Sequence, residues 1–234
     1  MKMDSNEKMS RIKKDILKSG MPLEIEISAI LRQSGWFVIQ QAAYMDRDKE
    51  EVRSIDIVAM RTKDKKTLVL IVECKKSERE IWTFHTLPKS SDEYLIGISL
   101  VESLMKLYKS KFSTDMFSKT HLANMDTKVG TSNYVPFKYK DSFFQAQRQV
   151  TKAAEYFTKK WGKKHLIYPV IVFDGEMYEF DINGKDVKVE PIEYLQFAGS
   201  TKGRRTLVPC LIDVMKKSHF LDFLETIQEE IEAL

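Results

Sequence analysis

The chain has 234 residues, 43% of them hydrophobic and 31% charged. That is enough apolar material for one sizeable core and too even a charge balance for a disordered chain. The net charge of +4 and pI near 8.8 permit a nucleic-acid partner without requiring one. The two cysteines, Cys74 and Cys210, both sit in apolar runs; they exclude a multi-cysteine zinc site and read as core thiols rather than a disulfide.

The start of the chain, Met1 to Lys14, is charged and lacks the apolar segment of a secretory signal. No apolar run approaches the roughly 20 residues that span a bilayer, so a cytoplasmic location without membrane contact is expected. Leu23, Ile27, Ile30 and Leu31 then make an apolar stripe that predicts a helix over 23–34, with Gly35 following as its C′ residue. A strand is expected over 36–44 and a charged loop over 45–52.

The next two runs, Ser54-Ile55-Asp56-Ile57-Val58 and Leu68-Val69-Leu70-Ile71-Val72-Glu73-Cys74-Lys75, read as apolar strands carrying acidic groups. Residues two apart on a strand share a face, so Glu73 and Lys75 point one way and Cys74 the other. If the polar stretch between them turns at Asp64-Lys65, the hairpin register sets Asp56 opposite Glu73. Their Cβ atoms would then be about 5 Å apart. Two carboxylates that close repel unless a cation or proton lies between them. With Lys75 beside them, the layout suits a hard divalent metal with a phosphate next to it. An ordinary charged surface hairpin is the alternative, but Ile55, Ile57, Ile71 and Val72 argue for a buried sheet, where carboxylates need a reason. A register slip of one residue would separate Asp56 from Glu73.

From 76 to about 140 the pattern loosens, apart from a helical stretch over 98–112, and the region reads as an insertion. Trp82, Phe84 and Met105 read as packing residues within it. Phe143, Ala146, Val150, Ala153, Ala154 and Phe157 predict a second helix over 141–160. A strand is expected over 166–173. Asp174-Gly175 and Asn183-Gly184 are hairpin signals that imply a meander continuing through 176–182 and 185–190. A strand over 207–214 and a terminal helix over 220–234 complete the chain. The expectation is one α/β domain over residues 1–234: a mixed central sheet flanked by helices, an insertion at 76–140 after the third strand, and a C-terminal β-meander plus helix.

The order helix, three strands, helix, strand, with Asp56 on the second strand and Glu73-Cys74-Lys75 ending the third, resembles the PD-(D/E)xK nuclease superfamily, the restriction-endonuclease-like fold. Mrr-type restriction endonucleases and archaeal Holliday junction resolvases are the members it is most similar to. The family pattern also has a Glu in the first helix about three turns before a Gly-aromatic pair. Gly35-Trp36 is that pair here, which puts Glu24 in the matching position, with Glu26 as the alternative. The similarity covers residues 23–75 well and continues more loosely through the second helix and the strand after it. Ile55 stands where the pattern has Pro, and 76–141 has no counterpart in the minimal fold.

The resemblance implies a Mg²⁺-dependent endodeoxyribonuclease, with Mn²⁺ able to substitute, of restriction or defence type. Asp56, Glu73 and the backbone carbonyl of Cys74 would hold the metal, and Glu24 would complete its shell. Lys75 would orient the attacking water or offset charge on the phosphate. A structure-specific resolvase, which would need a homodimer and a preference for branched DNA, and a non-catalytic nucleic-acid-binding module on the same fold are the rival functions. Members often carry a Gln in the second helix, which points to Gln145, with Gln147 open, and to Arg148 as DNA contacts. Lys109, Lys111, Lys138 and Lys140 lie in basic-aromatic clusters that suit phosphate contact with stacking. Lys202-Gly203-Arg204-Arg205 is a further basic stretch. His85, His121, His165 and His219 have no metal-ligand spacing and are expected in surface or packing roles.

Overall fold

The structure is a computed structural model that describes residues 4–64, 66–88, 120–124, 126–138, 141–161, 165–202 and 207–233. It is α/β, with an eight-stranded mixed sheet and, among the described residues, four α-helices. In chain order these are α1 (Ser5–Lys18), α2 (Met21–Gln33), β1 (Phe37–Asp46), β2 (Glu51–Lys63), β3 (Lys66–Pro88), β4 (Lys128–Tyr134), α3 (Ser142–Trp161), β5 (His165–Asn183), β6 (Asp186–Pro191), β7 (Tyr194–Lys202), β8 (Leu207–Lys216) and α4 (Phe220–Ala233). No described helix is long and apolar enough to cross a membrane.

The sheet separates two apolar layers. Leu23, Ile27 and Leu31 of α2 and Phe220, Leu224 and Ile227 of α4 pack on one face with Ile57, Leu70 and Val72. Phe143, Ala146, Val150 and Phe157 of α3 pack on the other with Val58, Val69 and Ile71. Both stripes follow the helical spacing of the sequence. Helix α2 ends in a Schellman motif: Gly35 takes φ +81, its N–H donates to the Arg32 carbonyl, and the Trp36 N–H donates to the Leu31 carbonyl.

Strands β1, β2 and the first part of β3 are antiparallel, and β5 lies parallel to β3. Lys63 pairs with Lys66 and Ile57 with Val72, which is the register expected from the turn at Asp64-Lys65. Asp64 takes φ 48, as the first residue of a tight hairpin turn does.

Three features differ from the sequence expectations. The region expected as an insertion feeds the sheet: 76–88 continues β3, and 128–134 forms β4, antiparallel to it. The predicted helix at 98–112, with Lys109 and Lys111, lies outside the described residues. Asp174-Gly175 is not a turn, because β5 runs unbroken from His165 to Asn183. Gly175 is there for space: an added Cβ would sit 2.4 Å from the Phe173 ring and 2.9 Å from the Ser77 carbonyl oxygen. Asn183-Gly184 does turn, with Gly184 at φ +65 and Asn183 paired to Asp186. Helix α1 and strand β7 were not anticipated; α1 has no buried residue, so no core stripe marks it.

Candidate active site

The site forms where β1 and β2 both lose their regular alternation. On an undisturbed strand Ile55 and Ile57 would share a face. Here Ile55 packs in the α3 layer and Ile57 in the α2–α4 layer, so the faces exchange at Asp56. The same exchange occurs on β1, between Val38 on one side and Ala42 and Tyr44 on the other. Gln40 pairs with Ile57 and Ala42 with Ile55, which leaves Gln41 and Asp56 opposite each other at the crossover. Gln41 has φ 50. The other non-glycine residues with positive φ among those described (Glu50, Asp64 and Phe137) lie outside strands or at a strand-joining turn. A left-handed conformation inside a strand costs a non-glycine residue on the order of 1–2 kcal/mol, and such outliers gather at functional sites.

Two hydrogen-bonded sets lie at this point, one around Asp56 and one around Lys75. The Asp56 Oδ2 accepts the Cys74 backbone N–H at 2.8 Å, one step beyond the last regular β2–β3 pair. The Gln41 Nε2 donates to Glu24 Oε2 at 2.7 Å and to Asp56 Oδ1 at 3.5 Å. The Lys75 Nζ donates to Glu73 Oε1 at 2.5 Å and to Gln149 Oε1 at 3.3 Å. Glu24 is thus the α2 carboxylate turned to the site, whereas Glu26 pairs with Lys217 at 2.8 Å. Cys74 points to the opposite layer, and burial pushes its thiol well above the usual range.

Glu73 is the group with the least conventional surroundings. It has no exposed surface, and its second oxygen, Oε2, has no hydrogen-bond partner among the described residues. Burial and the nearby Asp56 charge push its carboxyl up to about 8, against the opposing pull of Lys75. Burial also raises Asp56, with the Glu24 charge adding to it and the Cys74 N–H opposing. A solvent-excluded carboxylate oxygen with no donor is costly unless a proton or cation completes it. The donors gathered here are all oxygens, which suits Mg²⁺ or Mn²⁺ and not a soft metal. Among the described residues no group of three or more His, Cys, Asp or Glu side chains is placed to hold a metal ion. Magnesium does not need three, since it keeps several of its waters.

The helix glutamine that reaches the site is Gln149. Gln145 is exposed one turn earlier on α3, and Gln147 is half-buried, with its carbonyl accepting the Thr151 hydroxyl. Gln149 follows Ala146 by three and precedes Ala153 by four, so it borders the buried stripe. That spacing was available in the sequence. Arg148 is exposed, with its guanidinium 5.8 Å from the centre of the Phe144 ring. Lys138 lies in the short 3₁₀ segment Pro136–Lys138, and Lys140 lies outside the described residues. Tyr44 is a second residue that spacing missed. It is buried on the Glu73 side of the sheet, its hydroxyl has no partner among the described residues, and burial pushes that hydroxyl up to about 12. No protein family, curated protein or solved structure matches this chain.

Proposed function

We propose that this chain is a Mg²⁺-dependent endodeoxyribonuclease of the PD-(D/E)xK type on a restriction-endonuclease-like fold, acting in restriction or defence. One observation carries the reading: the buried Glu73 carboxylate, held by Lys75 and acted on by the charges of Asp56 and Glu24, has one oxygen unsatisfied. A purely structural Glu–Lys pair would leave no orphan oxygen and would gain nothing from further carboxylates nearby.

Asp56, Glu73, the Cys74 carbonyl and Glu24 would hold the ion, and Mn²⁺ would serve in its place. When bound, the ion supplies a water of lowered pKa and Lewis-acid polarisation of the phosphate. Lys75 keeps an ammonium at the centre, held from one side by Glu73 and from the other by Gln149. From there it can orient the attacking water or offset charge that develops on the phosphate oxygens. Gln145, Arg148 and the lysines at 109, 111, 138 and 140 are the proposed DNA contacts.

The test is incubation with supercoiled, linear, single-stranded, methylated and branched DNA, with and without Mg²⁺. Cleavage is expected only with the metal. Asp56→Ala, Glu73→Ala and Lys75→Ala should each lower it by about 100-fold or more while melting cooperatively. Undiminished cleavage by Glu73→Ala overturns the assignment. Strong preference for branched DNA favours a resolvase, and binding without cleavage in any condition favours the non-catalytic module.

A further inference from the structure

The carboxamide of Gln41 occupies an unusual place. Its nitrogen lies 2.7 Å from Glu24 Oε2 and 3.5 Å from Asp56 Oδ1, so one neutral donor bridges two acids on different elements. Those acids, with Glu73, repel one another; the Glu24 charge acts on both Asp56 and Glu73. The amide reaches this position because Gln41 adopts φ 50 inside β1, opposite Asp56 at the crossover of both strands. No element of the fold requires a glutamine there: Gln41 is exposed and contributes to neither apolar layer. The nearby Glu73 Oε2, buried without a hydrogen-bond partner among the described residues, is a second polar atom beside these acids left open to a ligand.

We propose that the Gln41 carboxamide is a tethered stand-in for the divalent cation: it bridges Glu24 and Asp56 in the metal-free protein and must release them when the ion binds. This inference rests on the metal-dependent reading above. Its consequence is a built-in competitor. The N–H bonds to the two carboxylates hold the metal-free site together, and their loss is part of the cost of loading the ion. Gln41 is therefore a positioning residue that sets metal affinity, distinct from the carboxylates that hold the metal. With the amide in place, Mg²⁺ alone occupies the site weakly, and full loading awaits a substrate phosphate that adds its own oxygen ligands.

Mn²⁺ titration by calorimetry, together with melting temperature in chelator, tests this on the full chain without measuring cleavage. Gln41→Ala should melt lower than wild type in chelator yet bind Mn²⁺ about tenfold more tightly, the worth of one charge-assisted hydrogen bond no longer broken. Gln41→Gly removes the amide while accepting the positive φ, so it separates the lost bridge from backbone strain. It should show the same gain in affinity with a smaller loss in melting temperature. Gln41→Glu should bind Mn²⁺ more tightly still, because a fourth carboxylate joins the cluster. Wild type that binds Mn²⁺ while both the Ala and Gly variants bind it equally or more weakly overturns the stand-in role and leaves the nuclease reading intact. No Mn²⁺ binding by wild type or by any Gln41 variant overturns both.

Discussion

At the residue scale, Glu73 would make the proposed metal site a proton site as well. Its carboxyl titrates near 8 because it is fully buried beside Asp56, and Lys75 offsets only part of that. Without metal at neutral pH the residue therefore keeps its proton, and a divalent ion has to displace it. Mn²⁺ affinity should rise with pH up to about 8, by at most about tenfold per unit for one displaced proton, and then level off. Calorimetry in buffers of different ionisation enthalpy checks this directly: close to one proton should be released per ion at pH 7 and almost none at pH 9. Glu73→Gln should bind weakly and lose the pH dependence. Affinity that is flat from pH 6 to 8 in the wild type would mean that Glu73 is not a ligand.

At the scale of elements, the site depends on how β3 continues past Lys75. Lys76 pairs with Asp174 and Ile81 with Glu176, so Ser77–Glu80 stand against Gly175 alone. The Ser77 hydroxyl stabilises this excursion by accepting the N–H of Arg79 at 3.2 Å and of Glu80 at 2.7 Å. Glu80 then accepts the Ser142 N–H at 2.8 Å and the Trp82 indole N–H at 3.2 Å, tying the excursion to the start of α3. That places α3, and with it Gln149, over Lys75. Gly175→Ala would drive a methyl into the Phe173 ring, which cannot yield because it stacks on Trp82 at 3.8 Å. Overpacking of this kind costs about 1–3 kcal/mol, a fall of roughly 2–12 °C for a chain of this size. Scanning calorimetry should show that fall together with weakened Mn²⁺ binding, since β3 would shift next to Lys75. Gly184→Ala, in open space at φ +65, should fall less and leave Mn²⁺ binding untouched.

At the scale of the whole molecule, a second buried charge cluster ties distant parts together. The His121 ring bonds to Asp213 of β8 at 3.0 Å and to Glu230 of α4 at 2.6 Å. Tyr194 donates to Asp213 at 2.8 Å and Tyr168 to Glu230 at 3.2 Å. Burial alone would lower the His121 pKa, but the two carboxylates outweigh it and push the imidazole up to about 10. His121 is thus the centre of a buried ion network, not the surface or packing residue the sequence led us to expect. A raised histidine contributes its full stability below the ordinary value of 6.5 and loses it as pH rises through about 10. Glu73, raised from 4.5 to about 8, acts in the same direction at lower pH. In chelator the melting temperature should therefore fall from pH 5 to pH 10. Glu73→Gln should flatten the part below 8. His121→Gln should lower the melting temperature throughout, by leaving two buried carboxylates without their cation, and should flatten the part above 8. A melting temperature constant from pH 6 to 10 would contradict both assignments.

Local chemistry determined much of this chain from sequence. The stripes of α2 and α3, the Gly35 end of α2 and the two-residue turn before Lys66 depend on neighbours a few positions away, so spacing revealed them. Because strand register follows from that turn, the pairing of β2 with β3 as far as Ile57 and Val72 was legible as well. Gly175 shows the limit: Asp-Gly reads as a turn from composition, but this glycine serves the close approach of β3, whose Ser77 lies nearly 100 residues earlier. The same holds for β4, which has no strand signal until the far end of β3 offers it a partner. At the site, the sequence supplied the acids and the lysine. Only the tertiary structure decided which α2 carboxylate turns inward, which α3 glutamine holds Lys75, and that Gln41 bridges two acids. Those choices rest on the crossover of two strands and on burial of Glu73, and both arise from packing between elements rather than from any run of residues.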